Sequence, residues 1–267
     1  MRILAIGDIV GQPGRRACAE LVPRLREDLG LDLVIANGEN SAGGFGITAE
    51  IGEQLFAVGI DVLTSGNHVL AKKGIEQYLD DCPRLLRPAN WPPGTPGRGS
   101  LVLPSASGVP VGVLNLQGVV FMDPLDCPFR RGLEEVEDLR RSAAVIVIDF
   151  HAEATAEKIA FARHVAGRCA AVFGTHTHVQ TADERVLAGG TALITDLGMT
   201  GPVESVIGME IDVILKRFIY KMPARFEVAG GPALLCGAYV DVDPDSGRAV
   251  AIERVRVPAY DGSWDRK

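Results

Sequence analysis

Four of the five histidines in this chain occur in short polar clusters, Gly66-Asn67-His68, Asp149-Phe150-His151 and Gly174-Thr175-His176-Thr177-His178. Two more clusters, Gly7-Asp8 and Gly38-Glu39-Asn40, add carboxylate and amide oxygens. Imidazole, carboxylate and amide oxygen together suit first-row ions such as Mn, Fe, Zn or Co, and the absence of Cys from the set argues against a soft-metal site. His176 and His178 are i and i+2, so an extended backbone puts both side chains on one face, where two neighbouring ions could each take one. Glu39 and Asn40 are adjacent and would point opposite ways in a regular strand. The flanking Gly38, Gly43, Gly44 and Gly46 predict a loop that turns both toward one crevice.

These clusters follow the elements that must position them. Aliphatic runs predict strands over 2–6, 33–36, 62–64, 111–116, 145–148 and 171–173, and helical spacing predicts helices over 15–29, 48–58, 74–81 and 155–165, the last with Thr155 as N-cap. Alternation of this kind implies βαβ units, a mostly parallel sheet and right-handed crossovers. Asp8 then follows the first strand, Glu39 and Asn40 the second, Asn67 and His68 the third, His151 a later one, and His176 with His178 the next. Ligand sites in open α/β sheets lie beyond the carboxyl ends of strands, so these eight scattered residues are expected to converge. The Pro/Gly-rich stretch 85–108 reads as an irregular excursion rather than a linker, because the strand pattern resumes at 111. Beyond 185, strands over 191–195, 225–228, 233–242 and 250–257, interrupted by one helical segment near 205–220, predict a second sheet. The apolar faces of that tail suit either core or interface.

Each cluster has a plainer explanation when taken singly. An Asp after a strand is commonly a turn residue or N-cap, Asn67 after Gly66 is ordinary turn chemistry, and a lone His is usually a hydrogen-bonded structural residue. His164, on a helical segment, keeps that structural reading. The joint pattern differs, because four histidines at strand ends would each need a separate explanation. Gly7 to Gly14 lacks G-x-G-x-x-G spacing and places Asp8 where a pyrophosphate would approach, so a dinucleotide turn is set aside. Asn40 to Gly46 suits either a substrate-wrapping loop, with Phe45 stacking on a base, or a glycine-rich turn into the next helix.

Composition narrows the function classes. With 27 Lys+Arg against 34 Asp+Glu the formal net charge is −7, and no basic run offers the positive face that nucleic-acid backbone binding needs. The five cysteines, Cys18, Cys82, Cys127, Cys169 and Cys236, are odd in number and form no C-x-x-C pair, which excludes a disulfide framework or thiolate zinc site as the organising device. No signal-peptide pattern and no stretch of ~18 uncharged apolar residues is present. A cytoplasmic protein without membrane partner, folded as a single domain over 1–267, is the expectation.

The ordered set Gly7-Asp8, Gly38-Glu39-Asn40, Gly66-Asn67-His68, His151 and Gly174 to His178 resembles the calcineurin-like metallophosphoesterases. More closely, 149–155 (DFHAEAT), 175–184 (THTHVQTADE), 194–196 (ITD) and 198–202 (GMTGP) resemble the bacterial YmdB-type phosphodiesterases. The resemblance implies an α/β fold, a four-layer α/β/β/α sandwich of the metallophosphoesterase type with two mixed sheets flanked by helices. It implies two metal ions, iron or manganese before zinc or cobalt. Carried over by position, Asp8, Glu39, Asn40 and His178 would hold one ion, Glu39 would bridge to a second held by Asn67, His151 and His176, and His68 would be the unliganded catalytic residue. The implied activity is hydrolysis of cyclic nucleotides such as 2′,3′-cyclic AMP, and of other small phosphodiesters, by metal-activated hydroxide with His68 as acid. Two alternatives stand beside it: a phosphomonoesterase or protein phosphatase on the same site, and a regulatory protein that senses a nucleotide without hydrolysing it. Homo-oligomerisation is a further family-level expectation. The chain departs from the wider pattern twice. Asp8-Ile9-Val10 offers no imidazole, so Asn40 is expected to fill that coordination position, and Val69 replaces the acid that often follows Gly-Asn-His, so whatever orients His68 must come from elsewhere.

Overall fold

A strand buried on both faces reads as an unbroken apolar run, and β1 (Arg2–Ile6) is used in that way. Ile3 and Ala5 enter one core, Leu4 and Ile6 another. The computed structural model describes residues 1–259, so the last eight residues of the expected 1–267 domain lie outside the described residues.

The chain continues through β2 (Asp8–Ile9), α1 (Gly11–Leu29), β3 (Leu33–Asn37), α2 (Ala49–Ala57), β4 (Val62–Thr64) and α3 (Ile75–Asp81). It then crosses to β5 (Ser100–Pro104), β6 (Pro110–Gln117), α4 (Pro128–Leu139), β7 (Val145–His151), α5 (Thr155–His164), β8 (Ala171–Thr175), β9 (Arg185–Leu187) and β10 (Thr191–Ile194). After these come β11 (Met199–Pro202), α6 (Ile211–Tyr220), β12 (Ala233–Asp243) and β13 (Arg248–Ala259). One sheet has the order β2-β11-β12-β1-β3-β4, with β13 added to β12, and the other has the order β5-β6-β7-β8-β10-β9. Strands β1, β3 and β4 are parallel, as are β6, β7, β8 and β10, whereas β12, β5 and β9 run antiparallel to their neighbours.

Three apolar layers follow from strand alternation. Ile3, Leu33 and Ile35 of the first sheet meet Val113, Val147 and Phe173 of the second. Leu4 and Val34 pack beneath Leu21 and Leu25 of α1, and Ile146, Ile148 and Phe150 pack beneath Val136 of α4 and Phe161 of α5. The result is the four-layer α/β/β/α sandwich with two mixed sheets. Parallel register carries the strand ends to common levels, Asn37 opposite Thr64 in one sheet and Gln117 opposite His151 opposite Thr175 in the other.

The structure corrects four local expectations. The β-rich tail does not build a second sheet of its own. β12 lies antiparallel on β1, with Arg2 opposite Asp241 and Ile6 opposite Gly237, because that pairing drives Ala238 and Val240 into the inter-sheet core. Residues 225–228 form no strand, only an isolated bridge between Met209 and Val228. Thr155 is the first residue of α5 rather than its cap, and Ala154 occupies the cap position. Helix α4 is not among the expected helices, although Pro128 opens it and Gly132, Val136 and Leu139 recur on its buried face. Among the described residues no helix is long and apolar enough to cross a membrane.

Phe161 is fully buried, with its ring 4.5 Å from that of Phe150 and 5.8 Å from that of Phe129. Phe161→Ala is expected to lower the unfolding free energy by about 3–5 kcal/mol. Phe121→Ala, at an 89% exposed position, should leave the urea midpoint unmoved. Similar midpoints for the two variants would contradict the assigned core.

Candidate metal centre

Turns at five strand ends deliver the site. After β3 the chain folds back on itself: Ser41 Oγ donates to the Gly38 carbonyl at 2.7 Å, and Gly43 and Gly44 adopt φ of 69° and 93°. This loop holds Asn40 by its amide, Nδ2 donating to the Gly44 carbonyl at 2.9 Å, so that Oδ1 is left free. After β4, a Cβ on Gly66 would lie 2.1 Å from His151 Cδ2. Only glycine lets the imidazole of β7 pass beneath the Asn67-His68 turn.

His176 and His178 are not extended as expected, for their φ values are 102° and 66°. The backbone kinks because Thr177 is drawn inward: its N–H and hydroxyl both donate to Asp196 Oδ2, at 3.1 and 2.7 Å, while the His176 N–H donates to Asp8 Oδ2 at 3.1 Å. Lys158 Nζ reaches the same Asp196 oxygen at 2.8 Å, and both side chains of this ion pair are 2% exposed. The two imidazoles are left lining the cleft.

His151 Nε2 is the hub. It lies 2.9 Å from Glu39 Oε1, 3.0 Å from Asn67 Oδ1 and 3.0 Å from His176 Nδ1. Ligand atoms of Glu39, His151 and His176 all lie within 4.8 Å of one another. Asp8 Oδ1 stands 3.8 Å from His151 Nδ1 and 3.9 Å from His178 Nε2, whose Nδ1 is tied to the Ile207 carbonyl at 2.9 Å. Asn40 lines the same cleft. His68 donates its backbone N–H to Glu39 Oε2 at 3.0 Å. Its ring is oriented by Asn67 Nδ2, 3.3 Å from Nε2, and by an edge-on contact with Phe45 at 5.0 Å, which answer for the missing acid at Val69. All eight sequence candidates are therefore brought together, whereas His164 stands apart beside Phe129, at 5.8 Å.

Sequence reasoning missed the layer behind these residues. Thr175 donates its hydroxyl proton to Asp149 Oδ1 at 2.6 Å, so its oxygen, 2.9 Å from His151 Nδ1, accepts from that nitrogen and leaves Nε2 facing Glu39, Asn67 and His176. Thr64 and Asn37 also donate to Asp149. The available signal was the intrusion of Asp149 into the apolar strand VIVIDFH, and of Lys158 into a buried helix face.

The side chains alone already favour positive charge here. Burial opposes a charged His151, but the carboxylates of Glu39, Asp8 and Asp149 outweigh it and lift its pKa to about 9. Burial likewise opposes charge on Glu39, yet its ion pair and hydrogen bond with His151, reinforced by His68, bring it down to about 2. His176 falls to about 3 through burial and then the neighbouring His151. Burial raises Asp8 and raises Asp149 to about 6, and it lowers His68. Two buried oxygens, Asp8 Oδ1 and Asn40 Oδ1, have no hydrogen-bond partner. Unsatisfied buried acceptors beside a crowd of nitrogen and oxygen donors, with no thiolate among them, fit first-row metal cations. A larger depression of about 630 Å³ beside α4 is lined by none of these candidates.

A family model described as YmdB-like protein matches residues 4–255. The chain belongs to the YmdB-like family. A Bacillus subtilis (strain 168) protein named 2′,3′-cyclic-nucleotide 2′-phosphodiesterase is 48% identical over 257 residues, covering 96% of this chain and 97% of its own. Among solved structures, a hypothetical protein from Thermus thermophilus superimposes with a TM-score of 0.91 at 40% identity, covering 97% of this chain and 99% of its own. A novel phosphatase from Mycoplasma pneumoniae superimposes with a TM-score of 0.90 at 32% identity, covering 97% and 93%. The YmdB-like chain thus has the metallophosphoesterase-type fold over nearly its whole length, and that fold family implies divalent metal ions.

Removing one member of a fully buried ion pair strands the other charge. Lys158→Met is expected to cost about 3–5 kcal/mol of stability and to loosen the Thr177 turn. Breaking the exposed Arg141–Asp138 pair should leave stability within error. Urea denaturation of both variants checks the contrast, and equal losses would contradict the role given to Lys158.

Proposed function

We propose that this chain is a dinuclear-metal phosphodiesterase that opens 2′,3′-cyclic nucleotides and hydrolyses other small phosphodiesters. The observation that carries the reading is the donor shell around His151 Nε2 with an imidazole, His68, at its edge that is not needed to complete the shell. In this assignment Asn67, His151 and His176 would hold one ion and Asp8, Asn40 and His178 the other, with Glu39 available to both, and iron or manganese would be the residents. Bound there, the ions would supply Lewis acidity and a water acidic enough to ionise near neutral pH.

The chain's own residues do the rest. Asn67, with Oδ1 turned to His151, donates from Nδ2 to His68 Nε2, which places the proton of a neutral His68 on Nδ1. The anionic phosphodiester raises the affinity of the ring for a second proton, which Nε2 takes as it parts from the Asn67 amide; His68 then passes a proton to the departing 2′-oxygen as the P–O2′ bond breaks, and the proton released by the attacking water restores it. Attack by water oxygen on phosphorus leaves a nucleoside 3′-phosphate. The choice of the P–O2′ bond follows the name of the Bacillus relative, and the Mycoplasma phosphatase keeps monoester hydrolysis as the second reading.

His68→Ala is expected to retain metal while turnover of 2′,3′-cyclic AMP falls roughly 10²–10⁴-fold. His176→Ala is expected to lose metal by elemental analysis. Undiminished turnover in the first, or full metal content in the second, would falsify the corresponding assignment. Faster hydrolysis of p-nitrophenyl phosphate than of the cyclic diester would favour the monoesterase.

A further inference from the structure

The cleft over the candidate metal centre has a volume of about 410 Å³, and its lining divides by chemistry. One part is Glu39, Asn40, His176 and His178 of the donor set, with His68. The other is apolar: the aliphatic Val206, Ile207, Met209 and Ile214, and the rings of Phe45, Phe218 and Phe226. Ile214 is the buried residue of α6, and Phe218, one turn later on the same face, stands over the cleft at 64% exposure. Phe226 is already engaged, 6.1 Å from the Phe45 ring and with the Arg217 guanidinium 4.7 Å from its centroid. Phe45 in turn packs edge-on against His68. Among the described residues no ring packs against Phe218.

The polar groups that remain in the lining are also committed. Thr177 Oγ1 donates to Asp196, Glu153 Oε2 lies 3.1 Å from His176 Nε2, and the Ile207 carbonyl is held by His178 Nδ1. Apart from the second oxygen of Glu153, this part of the cleft therefore offers, among the described residues, an apolar surface with no uncommitted side-chain group to read a hydrogen-bonding edge. A ligand with one anionic end and one flat aromatic end matches both halves at once.

We propose that Phe218, supported by Phe45 and Phe226, is a nucleobase-stacking subsite. It recognises the base by its π-face alone and so accepts all four bases, with purines held more tightly than pyrimidines through their larger stacking area. The inference rests on the phosphodiesterase reading and adds to it which part of the substrate is recognised, and how.

The test compares metal-loaded wild type with Phe218→Ala and Phe218→Trp on 2′,3′-cyclic AMP, 2′,3′-cyclic CMP and base-free glycerol 1,2-cyclic phosphate. Phe218 is exposed, so both variants are expected to fold, and thermal midpoints check it. Phe218→Ala is expected to raise KM for cyclic AMP about tenfold, within the range that one base–aromatic stack supplies, with kcat little altered. The rise should be smaller for cyclic CMP, selectivity over the base-free diester should fall in proportion, and Phe218→Trp should restore it. Unchanged selectivity overturns the subsite, and if the mass in solution also falls, Phe218 is instead a contact between copies of the chain. A wild type that hydrolyses the base-free diester as readily as cyclic AMP sinks the subsite and spares the hydrolase reading. A wild type that hydrolyses none of the three sinks the hydrolase reading. Equilibrium binding of 3′-AMP to wild type and Phe218→Ala then decides the subsite without turnover, and equal affinities reject it.

Discussion

Three electron-rich atoms packed about 3 Å from His151 Nε2 impose the constraint on which the rest of the structure depends. Lone pairs from a carboxylate, an amide and two imidazoles repel one another unless positive charge sits among them. Assembling them in a buried place is expensive, and the fold meets that cost by placing each donor at the end of a parallel strand or in the turn just after it. Parallel registration within each sheet, and face-to-face packing of the two sheets, bring Asp8, Glu39 and Asn67 from one side to His151 and His176 from the other.

Rigidity comes from the shell behind the donors. Asp149 and Thr175 together settle which nitrogen of His151 faces the cleft, and Asp196 with Lys158 holds the Thr177 turn in a conformation that extended backbone would not supply. A buried ion pair is a weak source of net stability, because the desolvation of two charges can exceed their attraction. Its value here lies in geometry. Asp196 accepts from Lys158, Thr177 and Gly198 at once, so it fixes several backbone positions that a single apolar contact could not.

The cleft joins this polar floor to an apolar wall drawn from the loop after β3, from α6 and from the segments on either side of it. The floor is built from strand ends and is fully committed to charge. The wall comes from less regular segments whose exposed residues, Phe218 among them, are not explained by the needs of the core. The Thermus and Mycoplasma structures share the sandwich over nearly their full length, so the strand-end floor rests on the common scaffold.

Local pattern was enough to read the parallel first half, because strands buried on both faces leave continuous apolar runs, and the polar residues that interrupt the chain just past those runs stand out against them. That is why all eight site candidates could be named from their order alone. Distances along the chain carry no such trace. The return of β12 onto β1, the kinks at His176 and His178, the passage of His151 beneath Gly66 and the linkage of Asp149 to His151 through Thr175 each depend on contacts between segments remote in sequence. A residue's type and neighbours set what it can bond to. Only packing of the two sheets decided which partner lay within reach.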